Sequence, residues 1–215
     1  MSEPTADLRE WVAYLAESGV QELRIEGKPG PLDVVREELG ECTRCKLHDG
    51  RTKIVFGVGN PQADLMFIGE GPGAEEDRRG EPFVGRAGKK LDEMIQAIGL
   101  SREQVYIANI VKCRPPNNRD PERDEIEACS PFLKKQIAAI APRVIVTLGG
   151  PATKTILETK VGITRLRGEW AEFEGIPVMP TFHPAYLLRA YTKENRMSVW
   201  SDLKTARARI DDPEA

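Results

Sequence analysis

Residues 64–98 read DLMFIGEGPGAEEDRRGEPFVGRAGKKLDEMIQAI, and the order of patterns within them sets the fold. Residues 65–68 (LMFI) form an apolar run short enough for a buried strand. Residues 69–73 (GEGPG) then place three glycines and a proline in five positions, which breaks any regular element. From about Arg86 a helix follows, because Ala87, Leu91, Met94, Ile95 and Ile98 recur at helical spacing. Strand, glycine-rich turn and helix put the turn at the carboxyl end of a strand, where open α/β sheets bind ligands. The turn also carries chemistry. Glu70 sits at the strand's end, between glycines (Gly69, Gly71) that let other backbone approach closely. Glu75, Glu76 and Asp77 come next, and Phe83 follows inside PFVG.

The alternation continues in both directions. Residues 105–110 (VYIANI), 143–149 (RVIVTLG) and 176–182 (IPVMPTF) are expected strands, with helical patterns at 86–98, 124–140 and 151–158. Strands alternating with helices predict a three-layer α/β/α sandwich around a central four-stranded parallel sheet. Trp200, Leu203, Ala206 and Ile210 give a C-terminal helix its buried stripe. Upstream, residues 5–19 read as a helix capped by Thr5 or Asp7, with Leu8, Trp11, Val12 and Leu15 on one face. GKPGP at 27–31 is a linker, and a helix over about 32–39 leads to Cys42. The expected organisation is an N-terminal helical appendage and linker (1–30) and a main domain (31–215).

A chain of 215 residues with 40% hydrophobic content can build one good-sized core. No run approaches the roughly 18 apolar residues of a membrane span, and MSEPTADLREW lacks the basic-then-apolar pattern of a signal peptide. A cytoplasmic protein with no membrane partner is expected. The net charge of −3 weighs against indiscriminate nucleic-acid binding but not against DNA, since the distribution of charge decides that.

Cys42 and Cys45 form a C-x2-C pair, and 15 residues separate Cys113 from Cys129. In a cytosolic chain such cysteines favour metal or catalysis over disulfides. Four thiolates suit zinc or an iron–sulfur cluster, and residue chemistry alone does not separate the two. The interval of 67 residues between Cys45 and Cys113 argues against a compact zinc ribbon. Around them lie Arg44, Lys46, Arg51 and Lys53, then Arg114, Asn117, Asn118, Arg119 and Arg123, a candidate phosphate-contacting face.

Three motifs together resemble family 4 uracil-DNA glycosylases, the iron–sulfur branch of bacteria and archaea. They are GEGPG with PFVGRAG, then NIVKCRPPNNR at 109–119, then HPAYLLR at 183–189. The cysteine spacing matches that family's [4Fe–4S] pattern, and the resemblance covers roughly residues 40–200. It implies Glu70 and His183 as catalytic residues, with Gly69, Gly71, Glu76, Phe83, Asn109 and Asn118 binding substrate. It also implies that Pro184, Leu187, Leu188 and Arg189 meet DNA, with Leu187 or Leu188 as a wedge in the vacated stack. The cluster, on Cys42, Cys45, Cys113 and Cys129, would be structural. The expected partner is uracil-containing DNA, single- or double-stranded, and the chain is expected to act as a monomer. The N-terminal helix is a candidate contact for a replication or repair protein. RPPNNRDPERDE lacks the basic, histidine-containing insertion of a related branch that traps its substrate covalently, so hydrolysis is expected.

Two other readings differ in class. A DNA- or partner-binding module could keep the fold and cluster without turnover, but it need not keep Glu70, Phe83, Asn109 and His183 together. A nucleotide-binding protein using GEGPG as a phosphate loop would require the Lys-Ser/Thr of a P-loop, which this turn lacks.

Overall fold

Six strands are laid down in the order β1 (Val58–Gly59), β2 (Leu65–Gly69), β3 (Tyr106–Asn109), β4 (Val144–Leu148), β5 (Ala171–Phe173) and β6 (Ile176–Thr181). They pair as β1-β3-β2-β4-β6-β5 in a computed structural model that describes residues 17–18 and 29–212. The central four, β3-β2-β4-β6, are parallel, as the apolar runs predict. Every residue of β2, β3 and β4 is buried, which fits strands covered on both faces.

The sheet is wider than expected, and it is mixed. β1 adds an antiparallel rung pair at Ile107 and Tyr106, and β5 pairs antiparallel with β6. Neither edge strand is long enough to show a period in sequence. The β5–β6 hairpin turns through Glu174 and Gly175, both at positive φ (51° and 81°), the geometry of a two-residue hairpin turn.

Helices α1 (Pro31–Leu39), α2 (Ala74–Arg79), α3 (Arg86–Ala97), α4 (Arg123–Ile140), α5 (Gly150–Ile156), α6 (Ile163–Leu166), α7 (Pro184–Arg189) and α8 (Lys193–Asp211) complete the order. Leu65 and Phe67 face one core with Leu91 and Ile95 of α3 and Val199 and Leu203 of α8. Met66 and Ile68 point the other way, towards Leu133 and Ile137 of α4 and Ile156 of α5. Alternation along one strand thus fills two cores, and the layers are α/β/α.

Two expectations need correction or lie out of reach. Trp200 is 42% exposed, and Val199 takes its place in the buried stripe with Leu203, Ala206 and Ile210. The helix expected over 5–19 falls, except for residues 17–18, outside the described residues. Residues from Pro31 onward cluster as one compact unit. Among the described residues no helix is long and apolar enough to cross a membrane.

Candidate active site

All four parallel strands deliver a site residue at their carboxyl ends. Glu70 follows β2, Asn109 ends β3, Gly149 follows β4, and Phe182-His183 follow β6. They line one cleft of about 700 Å³, together with Gly71, Glu76, Phe83, Asn118, Asp120, Tyr186 and Arg189. Sequence positions more than 100 apart meet here because parallel strands end on the same side.

One part of the cleft is a narrow slot. A Cβ on Gly69 would lie 2.5 Å from Asn109 Oδ1 and 2.6 Å from the Phe83 ring, so only glycine leaves these two groups where they are. Phe83 is held by unusual backbone, at φ 53°. Its turn is fixed by Glu76, whose Oε1 accepts from the Val84 and Gly85 N–H groups at 2.9 and 2.8 Å. Helix α3 packs so closely on the Phe83 carbonyl that a Cβ on Gly88 would sit 2.0 Å from it. The Asn109 side chain is buried, and its Oδ1 lacks a hydrogen-bond partner. Such an atom costs about 1–3 kcal/mol unless a ligand supplies the missing donor.

His183 stands across from Phe83, with ring centroids 5.6 Å apart and planes tilted by 35°. It caps α7, its Nδ1 accepting from the Ala185 N–H at 3.1 Å. That bond leaves the proton of the neutral ring on Nε2, as a donor. Burial pushes its pKa down to about 4; Arg189 lowers it further and Glu76 opposes. Near neutrality the ring is therefore uncharged. Gly149, at φ 88°, makes room for it, since a Cβ there would meet His183 Cβ at 2.9 Å.

Glu70 behaves in the opposite sense. Burial, and then the Asp120 carboxyl within hydrogen-bond reach, push it up to about 7. Asp120 was not singled out in the sequence; its one signal is an acid in the loop between the second motif and α4. A carboxyl that ionises near neutrality is suited to accept a proton from water.

Other expected residues fall in different places. Glu76 spends Oε1 on main-chain N–H groups and supports the Phe83 turn. Asn118 lines the cleft but is exposed, and its Oδ1 accepts from Arg114 Nε at 2.7 Å. Leu187 is 2% exposed and belongs to the core, whereas Leu188 is 36% exposed. Pro184 is also buried, and Arg189 is exposed at the cleft's edge. The basic face is largely engaged within the chain. Lys46 pairs with Glu122, Arg119 with Glu125 and Arg123 with Glu127, while Arg44 donates to the Glu38 and Leu39 carbonyls.

The four cysteines come together in space. Cys42, Cys45, Cys113 and Cys129 line one cavity with Arg44, His48, Arg51 and Lys112, and none is in a disulfide. Arg51 Nη1 lies 3.5 Å from Cys113 Sγ, and the Lys112 N–H donates to Cys129 Sγ at 3.3 Å. Donors aimed at sulfur stabilise the thiolate form that a metal requires. Among the described residues no three His, Cys, Asp or Glu groups converge on a point fit for one metal ion. Four thiols around one cavity are a donor set that fits zinc or an iron–sulfur cluster.

The model of the uracil DNA glycosylase superfamily matches residues 56–204. The chain is 48% identical over 181 residues to a type-4 uracil-DNA glycosylase of Thermotoga maritima, covering 83% of this chain and 94% of that protein. Similar proteins of the same description occur in Sulfurisphaera tokodaii (50% identity; 82% and 83% covered) and Archaeoglobus fulgidus (45%; 80% and 90%).

Proposed function

This chain belongs to the uracil DNA glycosylase superfamily and to its type-4 group, and from that premise we propose how its cleft removes uracil from DNA. The enzyme hydrolyses the N-glycosidic bond of deoxyuridine, releasing uracil and leaving an abasic site for base excision repair. Uracil in a duplex is out of reach, so it is flipped into the cleft. The exposed Leu188 on α7 fills the vacated stack, and Arg189 beside it meets the DNA.

The observation that carries the reading is the unpartnered Asn109 Oδ1 beside the Phe83 ring. Uracil stacked on Phe83 gives this oxygen its N3–H and takes the Asn109 amide donor on O4. Cytosine presents the reverse pattern and would leave both sides unpaired, at about 1–3 kcal/mol per buried group. When the bond to the sugar breaks, its electron pair goes to the base and charge gathers on uracil O2. The neutral His183 Nε2–H donates to that oxygen as the charge develops. Glu70 faces the sugar cation and takes the proton of the water that adds to C1′.

Asn109→Asp tests this reading. It keeps the shape but exchanges an N–H donor for an acceptor. Uracil excision should fall by about one to three orders of magnitude, and the preference over cytosine should narrow. Wild-type rates with unchanged discrimination would remove Asn109 as the base reader.

Cys42, Cys45, Cys113 and Cys129 would hold a [4Fe–4S] cluster, which supplies cross-links between the segment before β1, the end of β3 and helix α4. Free thiols at these four positions support a reducing, cytoplasmic location. The purified protein should be brown, with about four iron and four sulfide per chain. Replacing one cysteine should lower solubility and melting temperature before it alters the chemistry. Colourless, fully active protein with one zinc per chain would contradict the cluster.

A further inference from the structure

Lys112 is the one lysine in the buried interior among the described residues, 1% exposed, and none of the steps above uses it. Its ammonium donates to the Asn109 main-chain carbonyl at 2.8 Å and to Gln136 Oε1 at 2.5 Å. Gln136, itself fully buried on α4, donates in turn to the Phe56 carbonyl at 2.9 Å. The Lys112 main chain is pinned as well, its N–H to Cys129 Sγ at 3.3 Å and its carbonyl to the Val55 N–H at 2.8 Å.

The Asn109 carbonyl needs such a partner. Edge strand β1 pairs with β3 only at Tyr106 and Ile107, so it stops short of Asn109. The Asn109 carboxamide offers no anchor of its own, because its Oδ1 has no partner. The direction of that oxygen is therefore set by the main chain beneath it and by the Gly69–Phe83 walls. A methionine or leucine would fill the same space without the cost of burying a charge, so packing alone does not explain a lysine here.

We propose that Lys112 is a positioning residue for base recognition: its buried ammonium holds the Asn109 main-chain carbonyl, and so aims the base-reading carboxamide. The proposal rests on Asn109 as the uracil reader. Lys112 is not among the residues that line the cleft. It acts through Asn109, and a misplacement of about 1 Å at a recognition group can cost two orders of magnitude.

The test is inhibition by free uracil, which reads the pocket without the bond-breaking step. In wild-type protein, uracil but not cytosine should inhibit; absence of that selectivity would defeat Asn109 as reader, separately from Lys112. Lys112→Met should weaken uracil inhibition by about tenfold or more. Its affinity for abasic DNA should stay within about twofold, and the visible absorbance per chain should be kept. Gln136→Met removes the other anchor but leaves the ammonium on the Asn109 carbonyl. It should lose melting temperature while its uracil inhibition stays within about threefold of wild type. If both variants lose uracil inhibition in proportion to their loss of stability, the role is structural and the proposal fails. It also fails if folded Lys112→Met binds uracil like the wild type. Should Lys112→Met be insoluble, Lys112→Gln, whose donor stops short of the carbonyl, is read by the same criteria.

Discussion

Glu70→Gln should slow single-turnover excision of uracil by about two to four orders of magnitude while leaving DNA binding nearly unchanged. Glutamine keeps the shape of Glu70 but neither accepts a proton from water nor carries a charge to face the sugar cation. The groove contacts and the Phe83 slot remain, so affinity for uracil-containing DNA is set elsewhere. An unaltered rate would remove Glu70 from the chemistry. The pH dependence carries the same claim. Because Glu70 is pushed up to about 7, it is protonated and idle on the acid side, and the rate should rise with pH through about 7. His183, at about 4, stays neutral over this range and adds no second limb. Glu76, Arg119, Asp120, His183 and Arg189 line the same cleft. After burial, the charge on the Asp120 carboxyl does most to raise Glu70. Asp120→Asn removes that repulsion and supplies a donor to the carboxylate, so the limb should move acidward, by about one unit. A limb that stays put would mean that burial alone sets Glu70.

His183→Ala should cost a similar two to four orders of magnitude, roughly, but the loss should depend on the leaving base. His183 donates to the oxygen on which charge gathers, so its value is greatest when the base carries that charge poorly. 5-Fluorouracil is the more acidic leaving group and needs less help. It should rescue His183→Ala noticeably and Glu70→Gln much less, because Glu70 acts on the sugar side of the same transition state. Single-turnover rates for both variants on both bases decide this. Equal rescue would mean that the two roles are shared or wrongly assigned.

The main strands and helices were legible in the sequence because each is a sustained pattern. LMFI and RVIVTL are buried on both faces and read as apolar runs, and α3 shows its stripe at helical spacing. Val58–Gly59 and Ala171–Phe173 were not legible, since pairings of two or three residues carry no period. Leu187 and Leu188 are adjacent and chemically alike, and only packing separates the core residue from the exposed one. Glu76 lines the cleft, and its bonds from the Val84 and Gly85 N–H groups are visible only in the fold. Asp120 and Lys112 gave weaker signals still. Asp120 meets Glu70 only once the strand ends are gathered, and Lys112, three residues from Asn109, meets Gln136 of α4 only in the folded chain. For the basic residues, sequence counts charges but not the carboxylates that Lys46, Arg119 and Arg123 meet.

Hydrolysis of the uracil–sugar bond by this cleft is read out by product analysis. Wild-type protein is incubated with a duplex carrying one deoxyuridine, and the released base, the strand and the protein are each weighed by mass spectrometry. Free uracil, a strand abasic at that one position and protein of unchanged mass are the predicted result. A strand that keeps its uracil, or DNA covalently attached to the protein, would contradict it.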